Sequence, residues 1–86
     1  MTASFTFTVS DPAGMHARPA SQLVAKAQKF ESAVTLHLDG KSVDAKRILG
    51  VMGFGAKHGD AIEVTVEGAD EANAAEELEQ FFKENL

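Results

Sequence analysis

The chain contains no cysteine, no tryptophan and no tyrosine among its 86 residues. Without thiols it can form neither disulfides nor thiolate metal ligands, and a cysteine nucleophile is excluded. No apolar run approaches the roughly 18 residues that a membrane-spanning helix needs. The first ten residues, MTASFTFTVS, also lack the basic start of a secretory signal. We therefore expect a cytoplasmic protein with no direct insertion into a membrane.

Positive charge is also scarce. Eight lysines and arginines stand against thirteen aspartates and glutamates, and the formal net charge is −5. Binding to nucleic acid depends on clustered basic residues that displace counterions, so this balance argues against nucleic acid as a partner. The length allows one compact domain over residues 1–86, and 44% hydrophobic residues are enough to give it a core.

Apolar and polar residues alternate at period two in three segments, the pattern of half-buried strands. Asp39-Gly40 follows the second segment and is a strong hairpin signal, which predicts a short return strand over 41–43. The apolar members of the three alternating segments are Phe5, Phe7, Val9, Val34, Leu36, Leu38, Ile62, Val64 and Val66. The opposite face of these strands should meet water through Thr6, Thr8, Thr35, His37, Glu63 and Thr65.

Three helices complete the predicted order β-α-β-β-α-β-α. Apolar residues at i, i+3, i+4 and i+7 predict a first helix over about 16–28. The segment KRILGVMGFG (46–55) predicts a short second helix. Asp70 is the expected N-cap of the third and last helix. Alternating strands do not suit a buried parallel sheet. The sequence therefore predicts an α+β fold, a two-layer open-faced sandwich with a four-stranded, mainly antiparallel sheet and the helices on one face.

The segment GMHARPAS (14–21) stands where the first helix should begin. If His16 is the N-cap, the N–H groups of Ala17 and Arg18 have no partner within the helix and form an anion site. Pro19 suits a first helical turn, and Gly14 permits the preceding turn. The His16 imidazole is a nucleophile that could take a phosphoryl group, and Arg18 could bind its oxygens. The same residues also fit an ordinary polar helix start.

Together, GMHARPAS and KRILGVMGFG resemble the two motifs of the histidine-containing phosphocarrier (HPr) family of the bacterial phosphoenolpyruvate-dependent sugar phosphotransferase system. DGK, HGD and EGADE fall at the family's turns, and the element order agrees along nearly the whole chain. The resemblance implies that His16 accepts a phosphoryl group on Nδ1 from enzyme I and passes it to IIA domains. Arg18 and the Ala17 and Arg18 N–H groups would stabilise it. The chain would then be a carrier and not an enzyme, and it would need no cofactor.

The resemblance also implies a docking surface on the first and second helices. Its candidate members are Ala20, Arg47, Ile48, Leu49, Met52 and Phe54. In the second helix, Ile48, Val51 and Met52 share one face, so Leu49 either points outward toward a partner or covers the edge of the core.

Arg47 stands where many Gram-positive members carry a regulatory serine, so this chain has no regulatory serine there and kinase control is in doubt. Ser42 is nearby but lies in the predicted third strand. We hypothesise that Arg47 favours an acidic partner surface, and that Gly53 and Phe54, which also depart from the family pattern, alter the choice of partner.

Two other function classes stay open beside the phosphocarrier. One is a regulatory relative, of a nitrogen-related or signalling branch, whose phosphohistidine reports metabolic state. The other is a small α+β interaction or RNA-binding domain of split β-α-β type, which would need exposed aromatics and a basic sheet face. We expect no metal site, because His37 and His58 lack paired ligands in the sequence. A monomer is the simplest expectation.

Overall fold

The computed structural model describes residues 2–10, 12, 17–54 and 57–85, with only the backbone of residues 2 and 17–19. Within these residues the chain forms four strands and three helices in the predicted order. The elements are β1 (Thr2–Thr8), α1 (Ala17–Ala27), β2 (Ala33–Leu38), β3 (Lys41–Asp44), α2 (Ile48–Gly53), β4 (Ala61–Glu67) and α3 (Glu71–Asn85).

The strands form one fully antiparallel sheet in the order β1-β4-β2-β3. The last strand along the chain is therefore a central one, with β1 on one side and β2 on the other. Val64 of β4 stands opposite Phe5 of β1 and Leu36 of β2, and Leu36 stands opposite Val43 of β3. This register brings the apolar positions of all four strands to one face, as the alternating sequence predicted.

The helices cover that apolar face and the core lies between the two layers. α3 packs on β1 and β4, α1 contacts both other helices, and α2 packs on α1 and β3. The ring of Phe82 lies 5.9 Å from that of Phe5 and 5.2 Å from that of Phe7, centroid to centroid. The largest fully buried apolar residues include Leu23, Leu36, Ile62, Val64, Val66, Leu78 and Phe82. The predicted open-faced α+β sandwich is confirmed.

The other face of the sheet is open and polar. Thr6, Thr8 and Glu63 are exposed, and Thr35, His37 and Thr65 are half-buried. A hydrogen bond of 3.0 Å joins His37 Nε2 and Thr65 Oγ1 across β2 and β4. Among the described side chains, this face carries neither an aromatic residue nor a lysine or arginine.

Asp70 directly precedes α3, but its carboxylate binds the loop between α1 and β2 and not the first N–H groups of α3. Oδ2 accepts a hydrogen bond from the Glu31 N–H at 3.0 Å, and Oδ1 accepts one from the Ser32 N–H at 2.9 Å and a short one from the Ser32 hydroxyl. Ser32 is fully buried. Asp70 does occupy the predicted N-cap position, since its carbonyl accepts a hydrogen bond from the Ala74 N–H at 2.8 Å, but its carboxylate ties the loop between α1 and β2 to the start of α3.

The hydrogen bond from the Ser32 hydroxyl, followed by that from the Glu31 N–H, holds the pKa of Asp70 below its ordinary value of 3.8. A lowered carboxyl pKa stabilises the fold above the unfolded-state value, and the contribution is lost as the pH falls through the folded-state pKa. We expect Asp70→Asn to lower the unfolding temperature by a few degrees at neutral pH, with the difference from the parent protein shrinking below pH 3.8. Thermal unfolding followed by circular dichroism across this range measures it.

Asp39→Asn is the control for the loss of one carboxylate. Asp39 is exposed in the β2–β3 turn with a φ of 50°, which asparagine also adopts readily. A difference between Asp70→Asn and the parent protein that stayed constant down to acid pH would show that the carboxylate does not supply this stability.

Gly68 lies against the same loop. A Cβ at this position would come within 2.6 Å of Ser32 Cα and 2.7 Å of Ser32 Oγ, closer than packed atoms approach. Because one of these is a backbone atom, the two segments would have to separate. We expect Gly68→Ala to lower the free energy of unfolding by about 1–3 kcal/mol, the usual cost of overpacking, as measured by urea denaturation.

Gly53→Ala is the matched control, since a Cβ there would meet nothing within 4 Å and the residue lies in α2. Alanine favours helix over glycine by about 1 kcal/mol at most. Gly53→Ala should therefore not destabilise the protein. Equal unfolding free energies for the two variants would contradict the close approach at Ser32.

No helix in the described part of the chain is long and apolar enough to cross a bilayer. The longest, α3, has 15 residues and includes several acidic side chains.

Candidate functional site

The backbone of α1 begins at Ala17, one residue after His16. Ala17, Arg18 and Pro19 occupy its first three positions, and no acidic residue stands in its first turn. The helical start agrees with the predicted one to within a residue. His16 and Gly14 lie outside the described residues, as do the side chains of Ala17, Arg18 and Pro19, so their predicted roles stay predictions. The helix dipole gives this N-terminal end a positive potential, which favours an anion.

α1 is fixed in the fold by its buried face and by an ion pair. Leu23, Val24 and Ala27 are buried, as their spacing predicted, and α1 packs against α2 and α3. Lys26 Nζ donates to Glu77 Oε1 of α3 at 3.2 Å, and this contact, followed by one from Asn73, lowers the pKa of Glu77. Both partners are partly exposed, so we attribute the position of α1 mainly to the apolar face.

α2 presents apolar side chains to solvent. Leu49 is 83% exposed, Met52 45% and Ile48 37%, whereas Val51 is fully buried. The prediction that Leu49 points away from the core is confirmed, and the alternative that it covers the core edge is wrong. The expected sharing of one core-facing side by Ile48, Val51 and Met52 holds only for Val51. We call Ile48, Leu49 and Met52 the α2 patch.

Two predicted docking residues belong to the core. Ala20 is 0% exposed in the apolar stripe of α1, and Phe54 is 2% exposed. The Phe54 N–H donates to the Val51 carbonyl at 3.3 Å, so the chain turns once more after α2 and carries the aromatic ring inward. Neither side chain offers surface to a partner, and both are removed from the candidate docking surface.

Arg47 immediately precedes α2 and is exposed. Its Nε lies 3.8 Å from Asp44 Oδ2, and the side chain makes no capping hydrogen bond to the helix. A guanidinium therefore adjoins the α2 patch in the position that the sequence analysis assigned to it. Ser42 is exposed in β3, as expected.

The other two histidines lie apart from this surface. His37 is on the open face of the sheet, and His58 is exposed in the turn before β4. Within residues 2–10, 12, 17–54 and 57–85, no group of three or more histidine, aspartate or glutamate side chains could hold a metal ion.

Two clefts of the described surface lie elsewhere. One of about 410 Å³ runs between β2 and β3, and one of about 360 Å³ follows the β2–β3 turn. No residue of α1 or α2 lines either of them. The candidate surface is thus a helix end and an exposed patch, a form suited to contact with another protein more than to enclosing a small molecule.

Sequence analysis gave no role to Gln28 and Lys46, which join the end of α1 to the start of α2. The Gln28 amide donates to the Lys46 carbonyl at 3.0 Å, and Lys46 Nζ donates to the Phe30 carbonyl at 2.8 Å. Both residue types are common on solvated surfaces. No periodicity or spacing could have shown these contacts, because they join segments 16 to 18 residues apart.

Comparison with known proteins shows the family. The model of the PTS HPr component phosphorylation site matches residues 3–84. The phosphocarrier protein HPr of Lysinibacillus sphaericus is 54% identical over 72 residues, which are 84% of this chain and 82% of that protein.

Solved structures agree. The Mycoplasma histidine-containing phosphocarrier protein superposes with a TM-score of 0.93 at 34% identity, covering 95% of this chain and 93% of that one. Crh is a Bacillus subtilis catabolite repression protein described as a domain-swapped dimer. It superposes with a TM-score of 0.78 at 36% identity, covering 93% of this chain and 92% of that one. The fold, the two sequence motifs and these matches lead to one conclusion: the chain belongs to the HPr family of bacterial phosphotransferase-system phosphocarriers.

Proposed function

We propose that this chain carries a phosphoryl group on His16, accepting it from phosphorylated enzyme I and passing it to IIA domains of sugar permeases. The observation that carries the proposal is the start of α1 at Ala17, directly after His16 in the sequence. The first N–H groups of a helix have no partner within it, and the helix dipole adds positive potential. Phosphohistidine would stand beside such an end.

The chemistry needs only the imidazole and its neighbours. A neutral ring nitrogen of His16 attacks phosphorus, the new N–P bond forms, and the bond from phosphorus to the donor group on enzyme I breaks. The group carries a charge of about −1.5 to −2 by analogy with other phosphorylated residues. Arg18 and the N–H groups of Ala17 and Arg18 would stabilise it. Transfer onward releases the ring as neutral imidazole when its second nitrogen holds the proton.

Two residues would shape this site without touching the phosphoryl group. Pro19 falls within the first helical turn, where its missing N–H costs no hydrogen bond and its fixed φ stiffens the helix start. Gly14 would permit the turn that precedes His16.

Mass spectrometry after incubation with phosphoenolpyruvate and enzyme I tests the acceptor. We expect the parent protein to gain one acid-labile phosphoryl group and His16→Ala to gain none, because the nucleophile is gone. His58→Ala is the matched control, since His58 is an exposed histidine outside the proposed site and should be phosphorylated like the parent. An adduct that persisted in His16→Ala would place the acceptor on another residue.

A regulatory module is the second candidate, and the similarity to Crh favours it. On that reading the phosphohistidine reports metabolic state and serves no sugar permease. Phosphorylation of His16 without transfer to any IIA domain would support it. Membership of the HPr family argues against the RNA-binding alternative, as do the glutamates on the described open face, where bases would need aromatic rings to stack on.

The α2 patch and Arg47 supply the proposed docking surface for enzyme I and the IIA domains. Three exposed apolar side chains next to a guanidinium suit a partner with an apolar hollow bordered by carboxylates. Such a surface is small and open, as a carrier that must leave each partner requires. The charge at Arg47 is permanent, whereas a serine there would change charge only when phosphorylated.

Leu49→Ala tests this surface. We expect the KM for the protein as substrate of enzyme I to rise about tenfold, equivalent to about 1.4 kcal/mol, because a central apolar contact is lost. The free energy of unfolding should change by less than about 0.5 kcal/mol, since Leu49 is exposed. Steady-state phosphotransfer and urea denaturation measure the two quantities.

Gln80→Ala, an exposed neutral change on α3, is the control for Leu49→Ala. The charge of the surface is checked by Arg47→Ser, which should slow transfer at low salt and lose its effect as salt screens the guanidinium. An unchanged KM in Leu49→Ala, or an unchanged rate in Arg47→Ser at low salt, would remove that residue from the docking surface.

We further infer that residues 1–86 act as one domain and as a monomer, since a single face must meet several partners. The swapped dimer is a property of Crh. Light scattering that gave twice the monomer mass would overturn the monomer for this chain.

A further inference from the structure

We propose that Lys46 and Gln28 are positioning residues that hold the α2 patch in a fixed place relative to α1, and so to His16. This inference rests on the proposed function, because it explains how the docking surface and the phosphoryl acceptor are kept in register. We call Gln28, Lys46 and the Phe30 carbonyl the α1–α2 junction.

All three polar groups of Lys46 are hydrogen-bonded. Its N–H donates to Asp44 Oδ1 at 2.9 Å, its carbonyl accepts from Gln28 Nε2 at 3.0 Å, and its Nζ donates to the Phe30 carbonyl at 2.8 Å. The side chain is half-buried. A lysine usually extends its ammonium into water, and here the charge strengthens a bond to a backbone oxygen.

The two hydrogen bonds between Lys46 and the segment just after α1 have opposite donors. Gln28, just after α1, donates toward Lys46, and Lys46 donates back to Phe30, two residues farther along. Such a reciprocal pair fixes a distance and also a rotation, which one hydrogen bond cannot do. Phe30 is itself anchored, because its side chain is buried and its N–H donates to the Ala27 carbonyl at 3.2 Å. The junction therefore ties the start of α2 to a rigid point.

α2 needs such an anchor. It has six residues, too few for a helix to be stable by its own hydrogen bonds. Toward its end, Val51 and Phe54 are in the core, but Ile48 and Leu49 at its start are exposed. The junction lies just before this exposed start. Without the junction, the apolar side chains of the α2 patch would still be present but would no longer be held in a fixed position relative to α1.

The consequence for transfer is specific. If the α2 patch shifts, a partner docked on it no longer meets His16 at the right distance, and more of the binding energy goes into restoring the arrangement. The effect should appear mainly in the KM for enzyme I. Once the complex has formed the correct arrangement, the chemical step at His16 is unchanged.

The test uses Gln28→Ala, which removes one bond and no charge. We expect its KM with enzyme I to rise about threefold to tenfold, the range that one ordinary hydrogen bond spans, with kcat changed by less than about twofold. Gln80→Ala is the matched control, because the Gln80 amide bonds only within α3, to Glu84, and its KM should equal that of the parent. A KM for Gln28→Ala equal to that of the parent would overturn the proposal.

A double-mutant cycle separates positioning from direct contact. If Gln28 acts through the α2 patch, its effect on KM should be clearly smaller in a Leu49→Ala background, because the most exposed contact of the patch is no longer there to be misplaced. Additive effects would mean that Gln28 touches the partner itself, which contradicts a positioning role. Lys46→Met, which keeps the stem and removes the ammonium, should repeat the pattern, whereas Lys41→Met on β3 controls for charge and should leave KM near that of the parent.

Amide hydrogen exchange gives a readout that does not depend on phosphotransfer. The Val51 N–H donates to the Arg47 carbonyl at 3.0 Å, and we expect its exchange to quicken in Gln28→Ala while that of the β4 amides stays unchanged. Unchanged exchange at Val51 would overturn the positioning role. Failure of the parent protein to accept phosphoryl from enzyme I would instead overturn the proposed function, and the two failures are thereby distinguished.

Discussion

The antiparallel pairing of β4 with both β1 and β2 is the constraint on which the rest of the structure depends. β4 is the last strand of the chain, and its Ile62, Val64 and Val66 are fully buried. Until it inserts, β1 has no neighbour in the sheet and α3 has no complete surface to pack on, since α3 rests on β1 and β4 together. Local elements can form early, but the core closes only when this long-range pairing is made. The helices that carry the proposed site are placed by that closure.

Both ends of the helical layer are then locked by polar contacts between segments distant in sequence. Asp70 ties the start of α3 to the loop before β2, where Gly68 leaves room for Ser32. Lys46 ties the start of α2 to the end of α1. In each case a side chain satisfies backbone groups that no regular element would satisfy. Burial supplies most of the stability, and these few bonds determine where each helix begins.

The sequence was sufficient to predict element order, the antiparallel sheet and its apolar face, because those features follow from periods of two and 3.6 within single segments. It was insufficient for contacts across segments. Asp70 has the residue type of an N-cap, but its carboxylate binds Glu31 and Ser32. A rule based on neighbouring residues cannot predict contacts with residues so far away in the sequence. The predicted docking set failed at Phe54 for a related reason, whereas Ala20 lies on the apolar stripe that the spacing of α1 had itself predicted. The sequence of a short apolar helix does not show which of its sides meets the core. Here Leu49 is exposed, whereas Phe54 is buried.

A carrier of this kind separates two tasks that an enzyme usually combines in one cavity. The proposed chemistry needs a nucleophile and an anion-stabilising helix end, both supplied by a few residues at the start of α1. Recognition is assigned to α2, which buries Val51 in the core and exposes Ile48, Leu49 and Met52. Because neither of the two described clefts on β2 and β3 is lined by α1 or α2, we assign to the partner the surroundings that exclude water during transfer. The small protein therefore contributes accurate placement of two helices, and the energetic value of its polar junctions lies in that placement more than in overall stability.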